Sequence, residues 1–251
     1  MHGFAYDSIH DEIVVNSALS QAILTFRGAA NGEEPPIRVI QGTNTKILGT
    51  ARGGNDKVSI DPDNNEILLP NGPGTINQGD PGGVPSAVLV FDRMANGNVA
   101  PKRILSGPDT QIQGVPSLVV DPVRNLLFVN SNNKMLIFDR TASGNAKPLR
   151  VITGPRSQMG GISTIQTYPP KGLIVGACTG NAICAWSVDD NGDAPPRYKL
   201  PAAQITGYRI FGVALDPVHK ELIVPAAGHA ERAPTGIMNA ALTFSWPELF
   251  E

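Results

Sequence analysis

The sequence has little cysteine, few aromatic residues and little charge. Its 251 residues include two cysteines, 6% aromatic and 17% charged residues. Lys and Arg number 20 against 22 Asp and Glu, a formal net charge of -2. Neither sign gathers in a tail or stripe, which excludes the footprint of a nucleic-acid-binding protein and a polybasic membrane patch. No apolar run approaches the roughly 18 residues of a membrane span. The opening residues, Met1 to Tyr6, show no basic segment followed by an apolar stretch, so no signal peptide is read there. An upstream leader would not be visible, and the compartment stays open. Cys178 and Cys184 fit neither a disulfide framework nor a metal knuckle. They flank a predicted hairpin turn and read as half-buried thiols, with a local cross-strand bridge as the alternative.

Breakers are plentiful instead: 27 glycines and 22 prolines. That frequency means many short elements joined by turns, and it argues against long helices. With 41% hydrophobic residues and no low-complexity tract, the chain is not disordered and can bury a sizeable core.

The sequence repeats. The clearest copy, PSLVVDPVRNLLFVNSNNKMLIFDRTASGNAKPLRVITG, starts at Pro116. Asp7, Asp61, Asp121 and Asp216 recur at one place, with Thr167 standing in for the fourth copy, at steps of 54, 60, 46 and 49 residues. An aromatic recurs as Phe26, Phe91, Phe138, Trp186 and Phe244. A turn pair recurs as Asn31-Gly32, Asn96-Gly97, Ser143-Gly144 and Asn191-Gly192. An arginine recurs as Arg38, Arg103, Arg150 and, loosely, Arg197. Four landmarks in one order are a strong repeat signal.

Each copy parses into four strands, A to D. Runs of four to six β-branched, aliphatic and aromatic residues lie between Asp, Asn, Gly and Pro clusters. In the third copy these are Ser117–Val120, Leu126–Asn130, Lys134–Asp139 and Leu149–Ile152. A four-stranded antiparallel unit repeating at about 50 residues predicts an all-β chain, a β-propeller of about five blades. The blades are expected at about 3–42, 57–107, 116–154, 162–200 and 211–246, in a single domain. The nearly all-apolar strands A and B suit inner positions, and the arginine-bearing strand D suits an outer edge. The last copy shows no strand D. A five-bladed closure by packing, a six-bladed parent, and closure by another chain, as in a homo-oligomer, all fit that omission.

Val115–Asp139 resembles an NHL-type repeat. It has a proline, an inner strand ending in Asp, a strand ending in Val-Asn and a strand ending in Ile-Phe. Ser117 follows the proline where such repeats often carry glycine one position further on. The resemblance implies propeller architecture. Propellers of this kind include ligand-binding modules, protein-interaction scaffolds and a few enzymes, and the regucalcin/lactonase group looks similar in blade layout. Fold alone does not choose among these functions.

In such a fold the B-to-C and D-to-A loops gather on one face, and ligands are expected there, either a small molecule or a protein. The long B-to-C insertions, 71–84 and the segment around His229, concentrate that expectation. Asn16, Asn71 and Asn130 end strands B, and Ala177 and Ala226 take their place in the other copies. The asparagines read as turn caps or as a polar funnel able to offer oxygen to calcium in the central channel. Arg52, Asp80, Tyr208, Arg209 and Arg232 supply bidentate donors, a carboxylate and a stacking ring. Were the protein a lactonase- or esterase-type hydrolase, His229, Asp56 and Glu231 would be its catalytic groups. No strand A offers an inward Glu, which weakens a metal-dependent version. No Gly-x-Ser-x-Gly elbow or triad is visible. His10 and His219 fall in A-to-B turns, away from that face, and the recurring Asp residues read as caps of those turns. The favoured reading is a non-catalytic binding propeller.

Overall fold

The structure is a computed structural model. It describes residues 3–48, 57–72, 85–114, 117–160, 164–203, 209–210, 212–227 and 239–251. The chain is all-β. The first sheet runs β1 (Gly3–Asp7), β2 (Glu12–Ser17), β3 (Ala22–Arg27) and β4 (Arg38–Gln41). The second runs β5 (Ser59–Asp61), β6 (Glu66–Asn71), β7 (Ala87–Asp92) and β8 (Arg103–Ser106). The third runs β9 (Ser117–Asp121), β10 (Leu126–Ser131), β11 (Lys134–Asp139) and β12 (Arg150–Ile152). The fourth runs β13 (Ile165–Tyr168), β14 (Leu173–Cys178), β15 (Ala182–Ser187) and β16 (Tyr198–Leu200). In the fifth, β17 (Arg209–Ile210) and β18 (Ala214–Asp216) both pair with β19 (Glu221–Ala227), whose other side takes β20 (Asn239–Ser245). A four-residue helix, α1 (Pro247–Phe250), follows. The fifth sheet thus fills three strand positions, A to C, and among the described residues no strand D lies on it.

The split of its strand A has a local cause. β17 and β18 pair with Ala226–Ala227 and Glu221–Ile223, and the break falls opposite Val224 and Pro225. A proline has no N–H to give to a ladder, so the inner strand leaves the register where it would need one.

Two compact units are present, residues Met1–Asn132 with Phe138–Pro148 and residues Asn133–Ile137 with Leu149–Glu251. In the first, strand A of each sheet neighbours strand A of the next, β1 beside β5 and β5 beside β9. Its core sets Val14, Ile23 and Ile40 of the first sheet against Ile67, Leu69, Leu89 and Phe91 of the second. In the second unit β13 lies beside β18. There Val175, Ile183 and Ala185 pack with Leu222, Val224, Trp246, Leu249 and Phe250. Every residue of β6, β10 and β14 is buried, as strands covered on both faces should be.

The conserved order of landmarks has a mechanical basis beyond hairpin turns. The C-to-D turn of one sheet reaches back onto strand D of the sheet before it. Gly97 N–H donates to Val39 O at 2.6 Å, Gly144 N–H to Ile104 O at 2.7 Å and Gly192 N–H to Val151 O at 2.7 Å. The residue after each glycine caps the connector that follows strand D: Asn98 Oδ1 accepts from Asn44 N, Asn145 Oδ1 from Asp109 N and Asp193 Oδ1 from Ser157 N. That connector carries a repeat not read from the sequence, Gly-x-x-Ser/Thr-x-apolar. Thr45, Thr110 and Ser157 each donate to the carbonyl of the glycine three residues earlier, at 2.7, 2.6 and 2.6 Å. The fifth sheet replaces the reaching turn with Trp246 and α1. Trp246 packs edge-on to Tyr198 of β16, with ring centroids 6.4 Å apart.

The two cysteines are bridged, Cys178 of β14 to Cys184 of β15. This corrects the reading of free thiols. Cys178 faces Ala182 and Cys184 faces Gly176, so the sulfurs meet diagonally on one face of the hairpin, with Cα atoms 5.8 Å apart.

Candidate functional site

The sheets have two chemically different ends. At the A-to-B end the recurring Asp residues cap turns. Asp7 Oδ1 accepts from the N–H groups of Ile9 and His10, Asp61 Oδ1 from Asn64 N, Asp121 Oδ1 from Arg124 N, and Asp216 Oδ1 from Val218 and His219 N. His10 and His219 sit in these turns, with Nδ1 at 2.8 and 2.7 Å from Asp7 and Asp216 Oδ2. The hydrogen bond to Asp216 raises the His219 imidazole and holds the Asp216 carboxyl down.

The same end of the first unit holds two ion clusters that link successive sheets. Glu12 opens β2 and takes Arg38 from its own strand D and Arg93 from the next sheet, the latter at 2.8 Å. Glu66 opens β6 and takes Arg103 in a bidentate pair, 2.6 Å on each oxygen, with Lys102 at 3.1 Å and Arg140 of the next sheet at 2.8 Å. The glutamates are 10% and 5% exposed at the side chain, and Arg38, Arg93, Arg103 and Arg140 between 10% and 13%, so these pairs are desolvated. Burial pushes both glutamates up, but the arginine hydrogen bonds outweigh it and hold each below the usual range. Asp61 goes the other way: burial raises it despite bonds from Asn64. The strand-D arginines also donate to a main-chain carbonyl of the next sheet, Arg38 to Arg93, Arg103 to Arg140 and Arg150 to Val188, at 3.0 to 3.1 Å. Their recurrence leads one to expect packing and edge protection, and packing is what these bonds serve. They tie sheet to sheet, and the cluster is structural, because every carboxylate in it is occupied.

The other end, where strand A begins and strand B stops, carries Asn16, Asn71 and Asn130 of the sequence-predicted ligand residues. Asn16 is fully buried and pairs across with Gly3, and its Nδ2 donates weakly to Lys57 O at 3.4 Å. Asn71 grips the connector entering its sheet, accepting from Leu48 N at 2.9 Å and donating to Lys46 O at 3.1 Å. In the third sheet this grip passes to Ser131, which accepts from Gln113 N and donates to Gln113 O, each at 2.7 Å. Asn130 is buried and stands opposite Ser117. Two buried polar atoms here have no hydrogen-bond partner among the described residues, Asn16 Oδ1 and Ser117 Oγ. Both belong to the first unit, Asn16 at the end of β2 in the first sheet and Ser117 at the start of β9 in the third. A third such atom, Arg103 Nε, lies in the ion cluster.

His229, Asp56, Glu231, Arg52, Asp80, Tyr208 and Arg232 lie outside the described residues. Arg209 is placed by its backbone alone, in β17 opposite Ala227. Among the described residues no group of three or more His, Cys, Asp or Glu side chains gathers to hold a metal ion. Nor, among them, is any helix long and apolar enough to cross a membrane.

No family model matches the chain. No curated protein matches it in sequence. Many solved structures share its fold. One is the WD40 β-propeller domain of Doa1, similar at a TM-score of 0.54 with 11% identity over 90% of this chain. The chain spans 61% of the length of that structure. Identity that low carries architecture and no more. The repeated antiparallel sheets and this likeness together show that the chain has a β-propeller fold.

Proposed function

We propose that the protein is a binding scaffold that takes its ligand, a polar small molecule or a protein segment, at the end where strands A begin and strands B stop. The observation that carries this reading is the pair of unpartnered buried atoms, Asn16 Oδ1 and Ser117 Oγ, at that end of the first unit. A buried polar atom left without a partner costs about 1–3 kcal/mol, so each of the two, at the same end of its sheet, calls for an outside partner. An amide oxygen only accepts. The ligand must therefore present a hydroxyl, amine or amide N–H to Asn16. Arg52, Asp80, Tyr208, Arg209 and Arg232 are proposed as further contacts from the connectors at that end. The resemblance of Val115–Asp139 to NHL-type repeats supports the same reading, since scaffolds and ligand-binding modules are common among such propellers.

The test is a thermal-shift screen of sugars, amines, amides and short peptides on the wild type, repeated on Asn16→Leu and Ser117→Ala. Ligands that raise Tm in the wild type and lose that effect in both variants support the site. Ligands whose effect survives both variants place binding elsewhere.

A further inference from the structure

The last residue of strand B has the same task in two sheets and a different chemistry in a third. β6, β10 and β14 are each six residues long and end on Asn71, Ser131 and Cys178. Asn71 faces Ala87 of strand C, and Cys178 likewise faces Ala182. Asn71 and Ser131 hold the connector that enters their sheet. Asn71 accepts from Leu48 N, and Ser131 bonds both the N–H and the carbonyl of Gln113. Leu48 and Gln113 stand three residues after Thr45 and Thr110 of the connector motif, and Gly160 stands three residues after Ser157. Cys178 is therefore the counterpart of Asn71 and Ser131, and Gly160 that of Leu48 and Gln113.

In the fourth sheet this grip is missing. The sulfur of Cys178 is committed to Cys184. Gly160 is buried, and among the described residues neither its N–H nor its carbonyl makes a hydrogen bond. The connector nevertheless lies alongside. Thr179 N–H, next after Cys178, donates to Gln158 O at 2.9 Å, and a Cβ on Gly160 would come 3.1 Å from Thr179 Cγ2. Nor is the bridge what holds the hairpin. β14 and β15 pair from Leu173–Ser187 to Cys178–Ala182, so the bond closes a short loop that the ladder already closes, where a disulfide stabilises least. The Cys178 sulfur holds either Cys184 or the connector, and its oxidation state decides which.

We infer that Cys178 and Cys184 form a reversible redox site, opened by a dithiol reductant, and that the freed Cys178 thiol then takes hold of Gly160 as Ser131 holds Gln113. A thiol serves both needs, as a weak donor to the carbonyl and a weak acceptor for the N–H. The step is thiol–disulfide exchange. A thiolate of the reductant attacks one sulfur of the bridge, the bond between Cys178 and Cys184 breaks, and a mixed disulfide forms. The second thiol of the reductant then displaces the protein sulfur, and the reductant leaves as a disulfide. Two electrons pass to the protein, and both cysteines end as thiols with the protons that the reductant gives up. The sulfurs are buried, but Thr179 and Gly180 at the hairpin tip are exposed and give the reductant its approach to Cys178. None of this depends on the ligand proposed above.

The experiment uses the 251-residue protein. Thiols are counted by alkylation and mass spectrometry across a dithiothreitol series without denaturant, and exchange of the Gly160 amide is followed by NMR in each state. Air-oxidised protein should show no thiol and reduced protein two, with the circular dichroism spectrum unchanged. The Gly160 amide should exchange about fivefold more slowly in the dithiol form, the effect of one added hydrogen bond. Cys178→Ser carries the hydroxyl of Ser131, and Cys184→Ser leaves Cys178 a free thiol. Both should show the slow exchange with or without reductant. Cys178→Ala also lacks the bridge but should exchange as fast as the bridged protein, so loss of the bridge alone does not produce the pattern. Two free thiols in air-oxidised protein, a bond that dithiothreitol opens only in denaturant, or reduction that melts the fourth sheet would overturn the inference. So would Gly160 exchange that is equal in the bridged and dithiol forms, or as slow in Cys178→Ala as in Cys178→Ser.

Discussion

At the scale of single residues, the protein is held by carboxylates whose partners come from two sheets. Glu66 illustrates it. Its side chain is 5% exposed and it meets three cations, Lys102, Arg103 and Arg140. Removing one partner of a buried pair strands the others, at a cost of about 3–5 kcal/mol. Glu66→Gln should therefore lower unfolding free energy by about 3 kcal/mol in a urea titration, and Glu34→Gln, in the exposed pair with Arg27, should leave the titration almost unchanged. The pH dependence follows from the sign of each shift. Glu12 and Glu66 are held below their unfolded values, so their contribution is complete above the unfolded glutamate pKa and is lost as pH falls through the folded one. Asp61 is raised, so its contribution is present at low pH and is lost as pH rises through its folded value. Acid destabilisation should thus come from the glutamates, and the stability profile of Glu66→Gln should be flatter than that of the wild type below about pH 5. The capping role of Asp7, Asp61, Asp121 and Asp216 was legible in the sequence, because a turn demands such a residue at a fixed place. The arginines were legible as packing residues, but their partners were not. Their glutamate partners lie 26 and 37 residues away and their second carbonyl partners lie in the next sheet, and no local pattern reports that distance.

At the scale of elements, the C-to-D turn is what joins one sheet to the next. The glycines of the turn and of the connector that it caps serve two different needs. Gly144 takes φ +60° with open space around the position of a Cβ, whereas Gly107 takes φ +132° with Asn145 Oδ1 2.4 Å from that position. Gly144→Ala should cost about 1 kcal/mol, the ordinary penalty of a left-handed residue. Gly107→Ala should cost about 2 kcal/mol or more, because the conformation is all but closed to a side chain and the Asn145 cap must move as well. Thermal or urea unfolding of the two variants checks that order. Strand boundaries were readable to within a residue or two: β11 runs Lys134–Asp139 as expected, β10 extends one residue past Asn130 and β12 begins one residue after Leu149. The split of β17 from β18 was not foreseen, although Pro225 signals it once its place opposite the inner strand is known. The bridge between Cys178 and Cys184 was one of two open alternatives, since sequence gives the hairpin but not which residues face one another. The asparagines that end strands B read as caps of their own turns or as a funnel. Asn71 also holds a connector 23 to 25 residues away.

At the scale of the whole molecule, the repeat was enough to read an all-β propeller, because four landmarks recur where the four strands of each blade require them. Function is less legible for a physical reason. The framework residues are set by packing and hydrogen bonding that every copy must satisfy, so they recur. Most of the proposed ligand contacts fall in connectors that differ from copy to copy, and a side chain that appears once leaves no pattern. The central claim is that this scaffold binds without catalysing. Its most direct test is turnover of a panel of p-nitrophenyl esters and simple lactones, with calcium or with EDTA, by the wild type and by His229→Ala. The account predicts no turnover above the uncatalysed rate under either condition. Turnover that falls with His229→Ala, or on removal of calcium, would contradict it and make the protein a hydrolase.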